Sequence, residues 1–189
     1  LAAVQMLDGT GVAGITTHLR EDRRHINDQD VIEIDAYLRD SEVGLTFEMG
    51  ATDEIRAICL KTKSKLATIV PESREELTTE GGMDVISRKE YLAEFIKPIQ
   101  DHGTKISIFV DPIQEQIEAV QAIGAEFIEL HTGTYANLYL EGGSAAAAPE
   151  AERLKAAAIY AQSLGLKTNL GHGLTVANLP AMLAIPNIQ

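Results

Sequence analysis

The 189-residue sequence has a single cysteine, Cys59, no tryptophan, and few aromatic residues of any kind (5%). One cysteine excludes an internal disulfide framework and suits a reducing compartment such as the cytoplasm. Basic residues are also scarce, because 16 Lys and Arg stand against 28 Asp and Glu for a formal net charge of −12. So acidic a chain lacks the basic surface that nucleic acids and anionic membranes select. We therefore expect no nucleic-acid or membrane partner.

Long apolar runs are missing as well. No stretch approaches the ~18 residues that span a membrane, and the first residues lack the basic start of a signal peptide. The remaining composition is that of an ordinary globular protein, with 45% hydrophobic and 23% charged residues. The length matches the roughly 100–200 residues of one domain. We predict a single cytoplasmic domain over residues 1–189.

Short β-branched runs alternate with helix-like stretches along the chain. The predicted strands, rich in residues that favour a pleated sheet, are 14–20, 43–48, 66–72, 105–111, 127–131 and 167–172. The predicted helices are 53–64, 112–123 and 149–164, with short ones at about 2–8 and 176–184. We expect three glycines to end helices in the left-handed conformation: Gly103, Gly124 and Gly165. Residues 141–149 are small and predict a surface loop.

This alternation predicts a parallel sheet covered by helices. Six strands fit either an open doubly wound sheet or most of a (β/α)₈ TIM barrel. The barrel is favoured by the polar residues at the carboxyl ends of the strands, which a barrel gathers at one mouth: His18, Arg20, Glu48, Glu72, Asp111, His131 and His172. Such a barrel typically needs about 250 residues. We therefore predict a TIM barrel that lacks its first and last strands in this chain, with a smaller α/β fold as the alternative.

Residues 9–14 (GTGVAG) match the glycine fingerprint of dinucleotide-binding proteins. In those proteins the glycines follow a strand and open a helix, whose N-terminus then faces the pyrophosphate. Here they follow a predicted helix and precede a strand. The match therefore does not predict nicotinamide or flavin binding, and we expect no cofactor.

Segment 18–25 holds three arginines and two histidines within eight residues. His18 and Arg20 lie two residues apart on the first strand, so both point to the same side. A local positive site in so acidic a chain suits a phosphate, which arginine binds through a planar fork. The alternative is a solvated loop whose arginines pair with Glu21 and Asp22.

Two further residues suit proton transfer. Glu48 ends an apolar strand, where partial burial favours the protonated carboxyl and a neighbouring His18 or Arg20 opposes it. His172 lies between two glycines at another strand end, and an imidazole exchanges protons near neutral pH. Either residue is also explained by an ordinary structural role, as an ion-paired carboxylate or a hydrogen-bonded buried histidine.

Other polar residues are weaker candidates. Asp111, Glu129 and His131 are potential metal ligands, but they stand singly at separate strand ends and no His-Glu-x-x-His spacing is present. We therefore predict no metal site. Cys59 falls on the apolar face of a predicted helix and is expected to be inert packing.

Together these segments resemble the pyridoxine 5′-phosphate synthase family of vitamin B6 biosynthesis. The motifs that carry the resemblance are 14–25 (GITTHLREDRRH), 47–49 (FEM), 70–74 (VPESR), 78–82 (TTEGG), 127–133 (FIELHTG) and 165–175 (GLKTNLGHGLT). The resemblance implies a TIM barrel that forms homo-oligomers, octamers in the family. It also implies condensation of 3-amino-2-oxopropyl phosphate with 1-deoxy-D-xylulose 5-phosphate to pyridoxine 5′-phosphate, phosphate and water, without metal or cofactor.

Carried over by position, the resemblance implies three residues that transfer protons: His18 and Glu48 as acceptors, and His172 as donor. It implies four that bind substrate: Arg20, His25 and Thr78 for the deoxyxylulose phosphate, and Gly173 for the amino ketone phosphate. The loop around Thr78 resembles the family's closing lid. The family's Asn-x-Asp-His motif and its last Gly-rich turn are not in these 189 residues.

Two other functions remain open from the sequence. One is a metal-assisted sugar-phosphate aldolase or epimerase on the same barrel. The other is a barrel remnant that binds phosphorylated ligands without turning them over.

Overall fold

The computed structural model describes residues 1–73, 75–78 and 81–189. Strands and helices alternate through these residues. The strands are β1 (Gly14–Leu19), β2 (Gly44–Met49), β3 (Leu66–Ile69), β4 (Lys105–Val110), β5 (Phe127–His131) and β6 (Lys167–Gly171). The helices are α1 (Ala2–Leu7), α2 (Asp28–Leu38), α3 (Asp53–Cys59), α4 (Lys89–Asp101), α5 (Gln114–Ala122), α6 (Gly133–Ser163) and α7 (Leu179–Leu183).

The six strands form one parallel sheet whose order follows the chain, β1-β2-β3-β4-β5-β6. A doubly wound sheet reverses its strand order at a switch point, so the sequential order excludes that alternative. The sheet is curved. Thr16 of β1 and Asn169 of β6, on its two outermost strands, line the same cavity of about 410 Å³ on the concave face. The chain therefore forms six strands of a partial (β/α)₈ barrel, as predicted.

The two faces of the sheet differ in chemistry. The convex face is apolar and is packed under the helices, with Phe47, Ile69, Ile108 and Leu130 all fully buried. Burying apolar surface stabilises the fold by roughly 25 cal/mol per Å², so this layer is the main core. Because successive side chains alternate between faces, the polar residues between those positions project into the concave side. Glu48 is one of them.

The loop after β1 is anchored where α2 begins. The side chain of Asn27 accepts hydrogen bonds from the backbone N–H groups of Gln29 and Asp30, and Asp30 accepts one from the N–H of Asn27. This reciprocal capping box satisfies backbone donors that a helix start leaves free. It fixes the far end of the segment that carries His18 and Arg20.

Three glycines end helices as predicted, since Gly103, Gly124 and Gly165 have φ of 96°, 84° and 86°. The surface loop predicted at residues 141–149 is wrong, because α6 runs through it with one break at Gly143 (φ 70°, ψ −164°). The alanines that follow have the highest helix propensity and continue the helix. Four of the predicted helices are observed as α1, α3, α5 and α7, and each is shorter than predicted. Helices α2 and α4 were not predicted from the sequence.

Among the described residues, no helix is both long and apolar enough to cross a membrane. Cys59, the last residue of α3, is buried in the core, and burial raises the pKa of its thiol to about 11. A thiol so fully protonated is a poor nucleophile, which agrees with its predicted packing role.

Candidate active site

A cavity of about 480 Å³ opens at the carboxyl edge of the sheet. It gathers side chains from segments that are far apart in the sequence: His18, Arg20, Glu48, Val70, Pro71, Leu77, Gly81, Phe109, Glu129, His131 and His172. The three residues predicted to transfer protons thus share one cavity with the predicted phosphate ligand Arg20.

His18 is held between two carboxylates. The register of β1 against β2 places it directly beside Glu48, whose Oε1 lies 3.2 Å from His18 Nδ1. On the other side, Glu72 Oε1 lies 3.2 Å from His18 Nε2. Burial lowers the pKa of His18, but the two carboxylates raise it more, so that it lies above its ordinary value.

Glu129 is a third carboxyl group in the cavity, contributed by β5. Its side chain packs on Gly171 so closely that a Cβ there would lie 2.0 Å from Glu129 Oε1. Burial, reinforced by the negative charge of Glu48, raises the pKa of Glu129 to about 7. A carboxyl group with this pKa gives and takes protons near neutral pH.

Three rings form the opposite wall. His131 packs edge-on against His172 and also contacts Phe109, with ring centroids 5.0 Å apart in both pairs. Gly133 leaves room for the histidines, since a Cβ there would lie 2.4 Å from His131 Nε2. The His172 backbone is left-handed (φ 83°), and the hydroxyl of Thr132 donates to its carbonyl over 2.5 Å. This turn is what aims the His172 ring into the cavity.

Asp111 connects the loop after β3 to the histidine wall. One of its oxygens lies 2.8 Å from His131 Nδ1, and the other accepts hydrogen bonds from Gly82 N (2.9 Å) and the hydroxyl of Thr78. Burial alone would raise the pKa of Asp111, but these bonds lower it below its ordinary value. Asp111 is therefore a buried carboxylate that orients His131 and fixes the loop.

Three of the predicted substrate-binding residues lie outside the cavity lining. Thr78 bonds to Asp111, His25 is exposed in the loop between β1 and α2, and Gly173 (φ 75°) lines an adjacent groove beside Tyr139 and Asn178. Their roles in binding remain predictions. Arg74, Thr79 and Glu80, which belong to the family-like motifs, lie outside the described residues.

The arginines of segment 18–25 divide into two groups. Arg23 donates to Asp28 and Glu54, and Arg24 pairs with Asp22, so both stabilise the loop. Within this segment Arg20 is the arginine that lines the cavity, with its Nε 3.5 Å from Asp22. Ion pairing within the loop therefore accounts for Arg23 and Arg24, and phosphate binding by Arg20 stays a prediction.

Sequence reasoning missed the importance of Glu72 and Glu129. Glu129 precedes His131 by two residues on a strand, so the alternation of side chains places both on the same face. That signal was available in the sequence. In the described part of the chain, no group of three or more His, Cys, Asp or Glu side chains is arranged to hold a metal ion.

Comparison with solved structures shows the fold. An HpcH/HpaI aldolase/citrate lyase family protein from Burkholderia cenocepacia matches with a TM-score of 0.58 over 99% of this chain and 81% of its own, at 14% identity. D-Psicose 3-epimerase from Clostridium cellulolyticum matches with a TM-score of 0.57 over 90% and 67%, at 12% identity. At these identities the likeness is one of architecture.

Comparison with known sequences shows the family. The family model "Pyridoxal phosphate biosynthesis protein PdxJ" matches residues 1–189. A "Pyridoxine 5′-phosphate synthase" from Sulfurihydrogenibium is 46% identical over 95% of this chain and 72% of its own length. The relative from Roseobacter denitrificans is 46% identical over 100% of this chain and 74% of its own length. The relative from Aquifex aeolicus is 48% identical over 89% of this chain and 69% of its own length. The chain therefore belongs to the PdxJ family of pyridoxal phosphate biosynthesis proteins.

Proposed function

We propose that this chain is a pyridoxine 5′-phosphate synthase, which condenses 3-amino-2-oxopropyl phosphate with 1-deoxy-D-xylulose 5-phosphate. Its products are pyridoxine 5′-phosphate, inorganic phosphate and water. The observation that carries the proposal is the single cavity in which His18, Glu48, Glu129 and His172 surround the same space beside Arg20. Family membership supports the same reaction.

The chemistry of the cavity fits this reaction. Condensing an amine with a ketone, eliminating water and phosphate, and closing a ring all consist of proton transfers between carbon, nitrogen and oxygen atoms. Such steps need several groups that exchange protons near neutral pH. The carboxyl groups of Glu48 and Glu129 and the imidazoles of His18 and His172 all face the cavity, and the pKa of Glu129 is raised to about 7.

The test is turnover of the two phosphorylated substrates, followed by the appearance of pyridoxine 5′-phosphate. We expect product with both substrates present, and equal rates with and without a metal chelator. Activity that a chelator abolishes would favour a metal-assisted aldolase or epimerase instead. Binding of either substrate without product would favour a non-catalytic barrel.

Arg20→Ala is expected to weaken binding of the deoxyxylulose phosphate more than that of the amino ketone phosphate. Arg20 lines the cavity, and a guanidinium hydrogen-bonded to an anion contributes roughly 1.5–3 kcal/mol. Titration of each substrate by calorimetry measures the two affinities. Arg24→Ala is the matched control, because it removes a charge from an exposed arginine of the same loop. Equal weakening of both substrates by Arg20→Ala would contradict the assignment.

We infer that the protein is a homo-oligomer, octameric as in the family, which sedimentation of the purified protein would test. We also infer a cytoplasmic location, the reducing compartment to which a single buried thiol is suited.

A further inference from the structure

Glu72 lies just behind the cavity rather than in it. It follows β3, its side chain is 6% exposed, and it is not among the described residues that line the cavity. Its Oε1 accepts a hydrogen bond from Gly50 N (3.0 Å) and lies 3.2 Å from His18 Nε2. Its Oε2 accepts one from Glu21 N (2.9 Å). Among the described cavity residues, His18 therefore connects Glu72 to a bound substrate.

Further contacts hold the Glu72 carboxylate in its position. The backbone N–H of Glu72 itself donates to the side chain of Glu76 over 2.8 Å. Gly50 allows the carboxylate to approach β2, because a Cβ at that position would lie 3.0 Å from Glu72 Oε1. Hydrogen bonds to a charged acceptor are stronger than neutral ones, so the N–H groups of Glu21 after β1 and Gly50 after β2 hold this carboxylate in place.

Both ring nitrogens of His18 face carboxylates, Nδ1 toward Glu48 and Nε2 toward Glu72. A neutral imidazole has one N–H and one lone pair. In either neutral tautomer, one carboxylate would face a ring lone pair, which repels it. Only the imidazolium presents an N–H to each carboxylate, so this geometry favours the protonated ring.

We propose that Glu72 is a positioning residue that holds His18 as an imidazolium, with its Nδ1–H directed at Glu48, before substrate reacts. The proposal deepens the proposed function and rests on it for its kinetic consequence. The base of the pair is then the Glu48 carboxylate, which lines the cavity. His18 enters the cycle carrying a proton, donates it to a substrate oxygen or nitrogen, and takes one back in a later step.

Other charged groups surround His18 at longer range. Arg20, which directly follows β1, opposes a positive charge on His18, while Glu129 across the cavity favours one when it is ionised. His131 and His172 stand on the far wall. Coulomb interactions weaken with distance, so the two carboxylates at 3.2 Å dominate. The net effect on the pKa of His18 is upward.

The experiment is a pH titration of the histidine ring nitrogens by ¹⁵N NMR on the purified protein. The chain has five histidines, and the His18 signals are assigned by their loss in His18→Asn. We expect both His18 nitrogens to be protonated at pH 7 in the wild type. Glu72→Gln should lower the pKa of His18 by about one unit, a tenfold change in its protonation constant. Glu75→Gln, which neutralises an exposed carboxylate of the same loop, should leave it unchanged.

A neutral His18 tautomer in the wild type at pH 7 would overturn the proposal, even if Glu72→Gln fails to fold. Identical His18 titrations in Glu72→Gln and Glu75→Gln would overturn it too. In turnover, Glu72→Gln should lower kcat more than it changes KM, and should move the alkaline loss of activity to lower pH. Because the NMR titration needs no turnover, a protein without synthase activity would refute the proposed function and leave this result standing.

Discussion

His172→Asn is expected to retain the fold and to lose product formation by about 10²–10⁴-fold, the usual contribution of a positioned acid–base group. His172 lies at the end of β6 on the wall opposite His18 and Glu48. A proton donor there reaches the substrate from the β6 side of the cavity, whereas His18 and Glu48 reach it from β1 and β2. Its loss should therefore lower kcat, while the phosphate contacts that set KM remain.

Asparagine is the informative replacement because the His172 backbone has φ of 83°. Asparagine tolerates this left-handed conformation better than most residues, whereas alanine would add backbone strain to the loss of the imidazole. His102→Asn is the matched control, since His102 is exposed at the end of α4 and bonds to Thr62 away from the cavity. Circular dichroism and thermal melting check the fold of both variants.

Comparing His172→Asn with His102→Asn distinguishes a catalytic from a structural role of His172. Wild-type turnover in His172→Asn would remove His172 from the mechanism and leave it as a packing residue against His131. A joint loss of activity and cooperative melting would show that the ring supports the wall rather than the reaction. The expected pattern is a loss of activity alone, with His102→Asn unaffected in both measurements.

The fold was predictable because its signals are local and repeated. Each strand is a short apolar run, and left-handed glycines such as Gly103 and Gly124 mark the ends of helices, so the βα order follows from neighbouring residues alone. The segment at 141–149 misled because the pair Gly142–Gly143 indicates a loop while the alanines after it favour a helix. There the propensity of the alanines prevails, and the glycines account only for the break.

The candidate site was predictable only in part. His18, Glu48 and His172 stand at the ends of strands, where the architecture of a barrel gathers chemistry. The roles of Glu72 and Glu129 depend on contacts across the sheet: Glu72 on two backbone N–H groups and a ring, and Glu129 on the missing side chain of Gly171. No local sequence pattern specifies that Glu72 will lie beside His18, or that Glu129 will be buried without a cationic partner.

Those two environments give the two carboxyl groups different properties. Glu72 accepts hydrogen bonds from the backbone N–H groups of Glu21 and Gly50 and lies beside His18 Nε2. Glu129 instead packs on a glycine and faces the charge of Glu48, and both influences favour its protonated form. Two glutamates thus take different parts: Glu72 is hydrogen-bonded beside His18, and Glu129 is buried with a raised pKa, which suits a reaction composed of successive proton transfers.

Glu129→Gln is expected to stabilise the protein and to inactivate it. The folded state holds the pKa of Glu129 at about 7, above the 4.5 of an exposed glutamate. The folded state therefore binds more protons than the unfolded state between those values, and wild-type stability falls as pH rises through that window. At about 1.4 kcal/mol per pKa unit, ionising Glu129 costs the folded state about 3 kcal/mol at pH 8.

Glutamine resembles the protonated carboxyl group and carries no such cost. Urea unfolding should show a free energy of unfolding within about 1 kcal/mol of that of the wild type at pH 5, and about 3 kcal/mol above it at pH 8. Glu141→Gln, at an exposed position on α6, should change neither value. A pH-independent difference, or a destabilised variant at pH 8, would mean that Glu129 is ionised and paired in the folded protein. A gain in stability together with lost turnover would show that the protein retains a costly buried carboxyl group because the reaction needs its proton.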